Sequence, residues 1–218
     1  MKLKKIASLM LAGIMAVSML AGCNGKGGND ENKDDQNQVV AASVADYANS
    51  LLNDKQKNVF DFENSSELTA ALQKVAGDST KFTSKEIKEV YDTIKTSLAV
   101  ADSDVIKGLK SDLDLDIVNG SAPKMPLDKK GTKTGGWVYQ VSGKLTEASA
   151  VQLIVKNFAN GQMGNNTDTF PAYNNGLKAD YSAEISAVKV TAPDNSGNSA
   201  WVVAIVVTQT AVEVSNAG

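Results

Sequence analysis

Ala200-Trp201-Val202-Val203-Ala204-Ile205-Val206-Val207 carries no polar side chain at any position. A strand that is apolar on both faces belongs at the centre of a sheet covered on both sides. Pro193-Asp194-Asn195-Ser196-Gly197-Asn198, just before it, has turn composition. Upstream of the turn, Ile185–Thr191 reads as a strand, and a slip in its alternation at Ala187–Val188 predicts a β-bulge there. The last two strands are therefore expected to form an antiparallel hairpin with helices packed over the sheet.

Further upstream, Trp137, Tyr139 and Val141 alternate as a strand, and Leu113, Leu115 and Ile117 alternate with Asp112, Asp114 and Asp116 as another, half exposed. Thr146 starts a helix that carries Val151, Ile154, Val155 and Phe158 and ends near Gly161; it serves as the crossover of the sheet. The front half has helical spacing instead. Val40, Val44, Tyr47 and Leu51 mark a first helix over about 39–53. Asn64 with Glu67 caps a second, whose stripe is Leu68, Ala71, Leu72 and Val75 and whose stop is Gly77. Thr83 and Glu86 form a T-x-x-E capping box for a third, with Ile87, Val90, Tyr91, Ile94 and Leu98 on one face. A short fourth helix is expected from Ser103 to about Leu109. The fold class is α+β: N-terminal helices and a small, mainly antiparallel sheet with a crossover helix, for which a three-layer α/β/α sandwich is one arrangement.

Composition removes much chemistry. The 218 residues include 22 lysines, no arginine, 25 acidic residues, no histidine and one cysteine. Without His there is no Ser–His–Asp or Cys–His nucleophile and no imidazole base or ligand. One Cys allows no internal disulfide and no Cys-rich metal site, so neither a metal nor another cofactor is expected.

The chain opens with Lys2, Lys4 and Lys5, followed by an uncharged, mostly apolar run from Ile6 to Leu20. That run is shorter than the roughly 20 apolar residues of a membrane span, and its small-residue ending fits a secretory signal. Leu20-Ala21-Gly22-Cys23 resembles the lipobox of bacterial lipoproteins. The resemblance implies lipidation of the Cys23 sulfur, removal of residues 1–22 and a lipid-anchored chain facing outside the cytoplasm, with the membrane as a partner through the lipid. Three lysines leave with the signal, so the mature chain has 19 lysines against 25 acids, a net charge of −6. Such a chain is not built for nucleic acid. Residues 23–38, reading NGKGGNDENKDDQNQ after the cysteine, have no apolar side chain to bury and are expected to be a disordered tether. Residues 39–218 are expected to form a single globular domain.

Motifs in the domain region were weighed against their structural demands. Ser121-Ala122-Pro123-Lys124 matches S-x-x-K and Lys133-Thr134-Gly135 matches K-T-G, but Pro123 and Pro126 deny the first motif its helix and no S-D-N lies between them. The Asp112-x-Asp114-x-Asp116 run lacks the glycine and glutamate of a calcium loop, and alternation places its carboxylates on the wet face of a strand. Trp137 and Tyr139 share a sheet face with Val141, which favours core packing over sugar stacking. No catalytic residue is identified.

The polar stretch from Asn160 to Asp180 is long for a connection, and such loops are functional or simply solvated. Asn165 and Asn166 lie in it, and its candidate ligand-binding residues are Asp168, Phe170, Tyr173, Asn174 and Asn175: amides and a carboxylate beside flat apolar faces, suited to glycan or peptide. The order of elements and the Ala200-Trp201-Val202 run in the last strand resemble CAP/SCP-like domains of secreted and lipid-anchored bacterial proteins. Those domains line a cavity with His and Glu, and the absence of His prevents that site from being carried over. Three functions stay open: a non-catalytic ectodomain binding cell-wall glycan, peptide or an envelope protein; a carboxylate-dependent hydrolase of wall or glycan material; and a structural spacer.

Overall fold

The computed structural model describes residues 43–78, 83–93, 98–99, 104–115, 117–118, 125–162 and 169–214. The signal segment, Cys23, the tether and residues 39–42 of the first expected helix lie outside them. So do Ile94, Asp116, Ser121–Lys124, Asn165, Asn166 and Asp168. The elements in chain order are α1 Val44–Ser50, α2 Asp54–Lys57, β1 Phe62–Asn64, α3 Ser66–Ala76, α4 Ser84–Asp92, β2 Leu98–Ala99 and α5 Asp104–Leu113. They continue with β3 Ile117–Val118, β4 Gly131–Ser142, α6 Glu147–Gln162, β5 Tyr173–Asn174, β6 Leu177–Thr191 and β7 Ser199–Glu213. Among the described residues no helix is long and apolar enough to cross a membrane.

The fold is α+β, around a sheet of order β1-β6-β7-β4-β2 in which β3 also pairs with β4 and β5 with β6. β7 holds the centre, antiparallel to β6 on one side and to β4 on the other. β4 and β6 consequently run parallel, and α6 connects them across the sheet because parallel strands cannot be joined by a tight turn. Among the described residues only β1 on β6 and β3 on β4 pair in parallel.

Alternation along β7 divides the interior into two layers. Val203, Ile205 and Val207 point to one face, joined by Trp137 and Val141 of β4 and Ile185 of β6, and are covered by Ala45 and Ala48 of α1 and Ala150, Val151, Ile154, Val155 and Phe158 of α6. Ala200, Val202, Ala204 and Val206 point to the other, with Val138 and Val190, beneath Leu68, Leu72 and Val75 of α3, Ile87 and Val90 of α4 and Leu109 of α5. Helices thus cover the sheet on both faces, the three-layer arrangement. The first face is the aromatic one: Phe158 lies 5.5 Å from Trp137 and 6.4 Å from Phe60, centroid to centroid.

Local chemistry sets most helix ends. Thr83 and Glu86 form the expected capping box of α4, and Gly77 caps α3. Ser43 with Asp46 caps α1 in the same way.

Several expectations are corrected. The first helix stops at Ser50, and Ala45 and Ala48 are its buried positions while Val44, Tyr47 and Leu51 pack only partly against the core. The cap of α3 is Ser65, because Asn64 ends β1 and uses its amide to bind the α1 cap: Nδ2 donates to Ser43 Oγ at 2.8 Å. α4 ends at Asp92, and Leu98 belongs to a strand beside Gln140.

Asp112 and Leu113 are helical, in an α5 longer than expected, and Asp114 turns the chain at φ 51°. A salt bridge at 2.9 Å holds Asp112 to Lys74 of α3, which accounts for its carboxylate without a strand. The strand expected at Trp137, Tyr139 and Val141 begins earlier, since residues 131–136 also pair without interruption to β7. β6 has no bulge at Ala187–Val188, since its register with β7 is continuous from Leu177 to Thr191. The slip in its pattern has another cause: Ala187 packs on one core and Val188 on the other, so apolar residues are wanted on both faces.

Candidate functional site

The candidate loop is largely absorbed into structure. α6 takes its first residues, and β5 and β6 form a hairpin closed by Asn175-Gly176, whose φ angles of 48° and 77° suit Asn and Gly. Phe170 is a core residue and not a ligand platform. It is 7% exposed and packs edge-on against Phe60 and Tyr181, each 5.4 Å away. Asn174 is a structural anchor, its Nδ2 donating to the Leu127 carbonyl at 2.7 Å. Asn175 is exposed and serves the turn. Tyr173 alone among the described candidates offers its aromatic face, at 67% exposure.

The hairpin is clasped from beneath. Gln209, fully buried in β7, donates from Nε2 to the Met125 carbonyl at 3.0 Å and to the Tyr181 hydroxyl at 2.9 Å. The Tyr181 hydroxyl donates to the Pro171 carbonyl at 3.0 Å. Main-chain bonds from Met125 N to Thr169 O at 3.1 Å and from Ala179 N to Ala172 O at 2.9 Å complete the link. Buried polar groups need partners; Gln209 Oε1 has none among the described residues, but the bonds of its Nε2 and of Tyr181 tie two coil segments, 125–128 and 169–172, to the sheet. Tyr173 is consequently carried on a fixed support.

Beside it lies a group of residues that motif reading did not single out. Tyr173 pairs with Lys178 and Lys178 with Val212 across β5, β6 and β7. The next rows on that face are Thr132, Thr210 and Asp180, then Thr134, Thr208 and Ser182. All of these side chains are exposed or half exposed. The available signal was the matching T-x-T alternation of 132–134 and 208–210, legible only once the two strands are known to pair.

Other chemistry is sparse. Among the described residues no Asp or Glu is buried, and no group of three His, Cys, Asp or Glu side chains could hold a metal. Half-buried Glu184 lies in register with Glu63. Burial raises its carboxyl above the ordinary 4.5, a Ser65 hydrogen bond lowers it, and the charges of Glu67 and Glu63 raise it further.

The K-T-G residues lie inside β4, where Lys133 is held by the Pro126 carbonyl and Asp128. Trp137 is 2% exposed, and Tyr139 is half buried against the aromatic layer, where burial pushes its phenol up to about 12. A cleft of about 360 Å³ opens between Gln73, Ala76 and Gly77 at the end of α3 and Val188 to Thr191 with Pro193. In comparisons with family models, curated proteins and solved structures, nothing matches this chain.

Proposed function

We propose that this protein is a lipid-anchored envelope protein, facing outside the cytoplasm, whose ectodomain binds a ligand without transforming it. The observation that carries the anchoring is the run of Lys2, Lys4 and Lys5, an uncharged segment and Leu20-Ala21-Gly22-Cys23. A thiol accepts a thioether-linked diacylglycerol, and small residues before it leave the backbone open to a signal protease. Two acyl chains meet the requirement for stable attachment, each buried CH₂ contributing about 0.8 kcal/mol.

Binding is favoured over hydrolysis because glycoside cleavage needs two suitably placed carboxyl groups, one with a raised pKa. Glu184 has the raised value, but its neighbours Glu63 and Glu67 are exposed, and none of the three lines the cleft at the end of α3. The exposed and firmly supported Tyr173 is the feature that a spacer domain would not require.

The test is lipid labelling of cells expressing the parent and Cys23→Ser. The parent should incorporate labelled palmitate and partition into detergent, and the variant should do neither. Equal labelling and partitioning of the two would refute the anchor.

A further inference from the structure

The exposed large apolar side chains of the described residues are Tyr173, Val212 and Val214, at 67%, 45% and 36% exposure. All three gather on one sheet face at one end. Tyr173 and Val212 flank Lys178 in register, and Val214 follows two residues on, its N–H donating to the Gly176 carbonyl at 2.9 Å. The adjoining rows supply the hydroxyls of Thr132 and Thr210, then Thr208 and Ser182, while the Thr134 hydroxyl beside them donates to the Asp114 carbonyl at 3.4 Å. Neighbouring strands lie about 4.8 Å apart, and alternate residues along a strand about 6.6 Å, so these groups form a regular grid.

Among the described residues the charges at this end nearly cancel: Lys178 pairs with Asp180 at 3.1 Å, Lys130 with Glu213 at 3.8 Å and Lys133 with Asp128, which leaves Lys129 in excess. A single lysine in excess is little for a lipid headgroup or another polyanion, and there is no anionic excess for a basic peptide. Its complement is uncharged, rich in hydroxyls and apolar on one side.

We propose that this face binds a neutral glycan. The inference rests on the binding role proposed above and relocates its contacts from the 160–180 loop to the sheet. The Tyr173 ring stacks on the C–H side of a sugar, with Val212 and Val214 extending the apolar strip. The Thr and Ser hydroxyls each donate and accept, which matches sugar hydroxyls of either orientation. β5, the Asn175-Gly176 turn and the Asn174–Leu127 bond hold the Tyr173 backbone in place before any ligand arrives, which lowers the ordering cost of binding.

The experiment is calorimetric titration of the full-length, detergent-solubilised protein with chitohexaose as the probe, alongside Tyr173→Ala, Tyr173→Phe, Thr210→Glu and, on α6 away from this face, Lys156→Ala. The parent, Tyr173→Phe and Lys156→Ala should bind alike, and Tyr173→Ala and Thr210→Glu roughly tenfold or more weakly. Thermal melting of each variant establishes that it is folded. Binding that survives both Tyr173→Ala and Thr210→Glu overturns the assignment of the face while leaving a glycan-binding ectodomain in place. Absence of binding by the parent overturns the glycan. Concentration-dependent self-association abolished by Tyr173→Ala would assign the face to a second copy of the chain and overturn the proposal.

Discussion

Glu184 shows how one side chain carries information about the whole site. It sits half buried on β6, with Glu63 opposite and Glu67 near, and desolvation leads the causes that raise its carboxyl above 4.5. The folded protein therefore binds this proton more tightly than the unfolded chain does. Stability falls as pH rises from the ordinary 4.5 through the raised folded value, above which the penalty is complete. Glu184→Gln should accordingly melt at a higher temperature than the parent at pH 7, with the advantage fading as the pH drops below 4.5. Melting curves at the two pH values check this; an advantage that persists in acid would show that charge is not its cause. At the same scale, the sequence placed Tyr173, Phe170 and Asn174 together as equals. Burial separated them, since Phe170 is apolar enough to be recruited by a neighbouring aromatic cluster whereas Tyr173 faces water.

Elements are held in register here as much by side-chain bonds as by ladders. Tyr181 of β6 links Gln209 of β7 to the Pro171 carbonyl, at 2.9 and 3.0 Å. Tyr181→Phe removes both bonds while keeping the ring beside Phe170. A typical bond contributes about 1 kcal/mol, or about 2–4 °C in Tm for a domain of this size. The expected result is a loss of that order, together with faster amide exchange around Ala179, whose N–H binds the Ala172 carbonyl. Unchanged exchange there would show that the clasp does not restrain the hairpin. Helix signals were legible at this scale where they were local: the Thr83–Glu86 box and the Gly77 stop depend on residues three or four apart. Of the expected strand only Ile117 is one, in β3; Asp112 and Leu113 misled because short alternation competes with a helix end, and the Lys74–Asp112 bridge that favours the helix spans 38 positions.

At the scale of the whole molecule, β7 is shared by both interior layers. Its odd-numbered residues serve the aromatic layer under α1 and α6, and its even-numbered ones the aliphatic layer under α3, α4 and α5. Ile205, with no exposed surface, touches the first layer only. Truncating a buried Ile to Ala costs about 2–5 kcal/mol, and a strand common to both layers should transmit that loss to the entire sheet. Ile205→Ala is expected to lower the melting temperature in a single transition, the same by near- and far-ultraviolet circular dichroism. Two separated transitions would mean that the layers melt independently.

What the sequence determined by itself follows from local rules: the apolar run of β7 and hence the covered sheet, the hairpin turn before it, and the Thr83–Glu86 cap of α4. What only the tertiary structure decided is which polar residues share a surface. The Thr rows, Tyr173 and Val212 come from segments as far apart as 132 and 212, and Phe170 was removed from them by packing. Periodicity fixes which side of a strand a residue occupies, but only the pairing of distant strands fixes its neighbours.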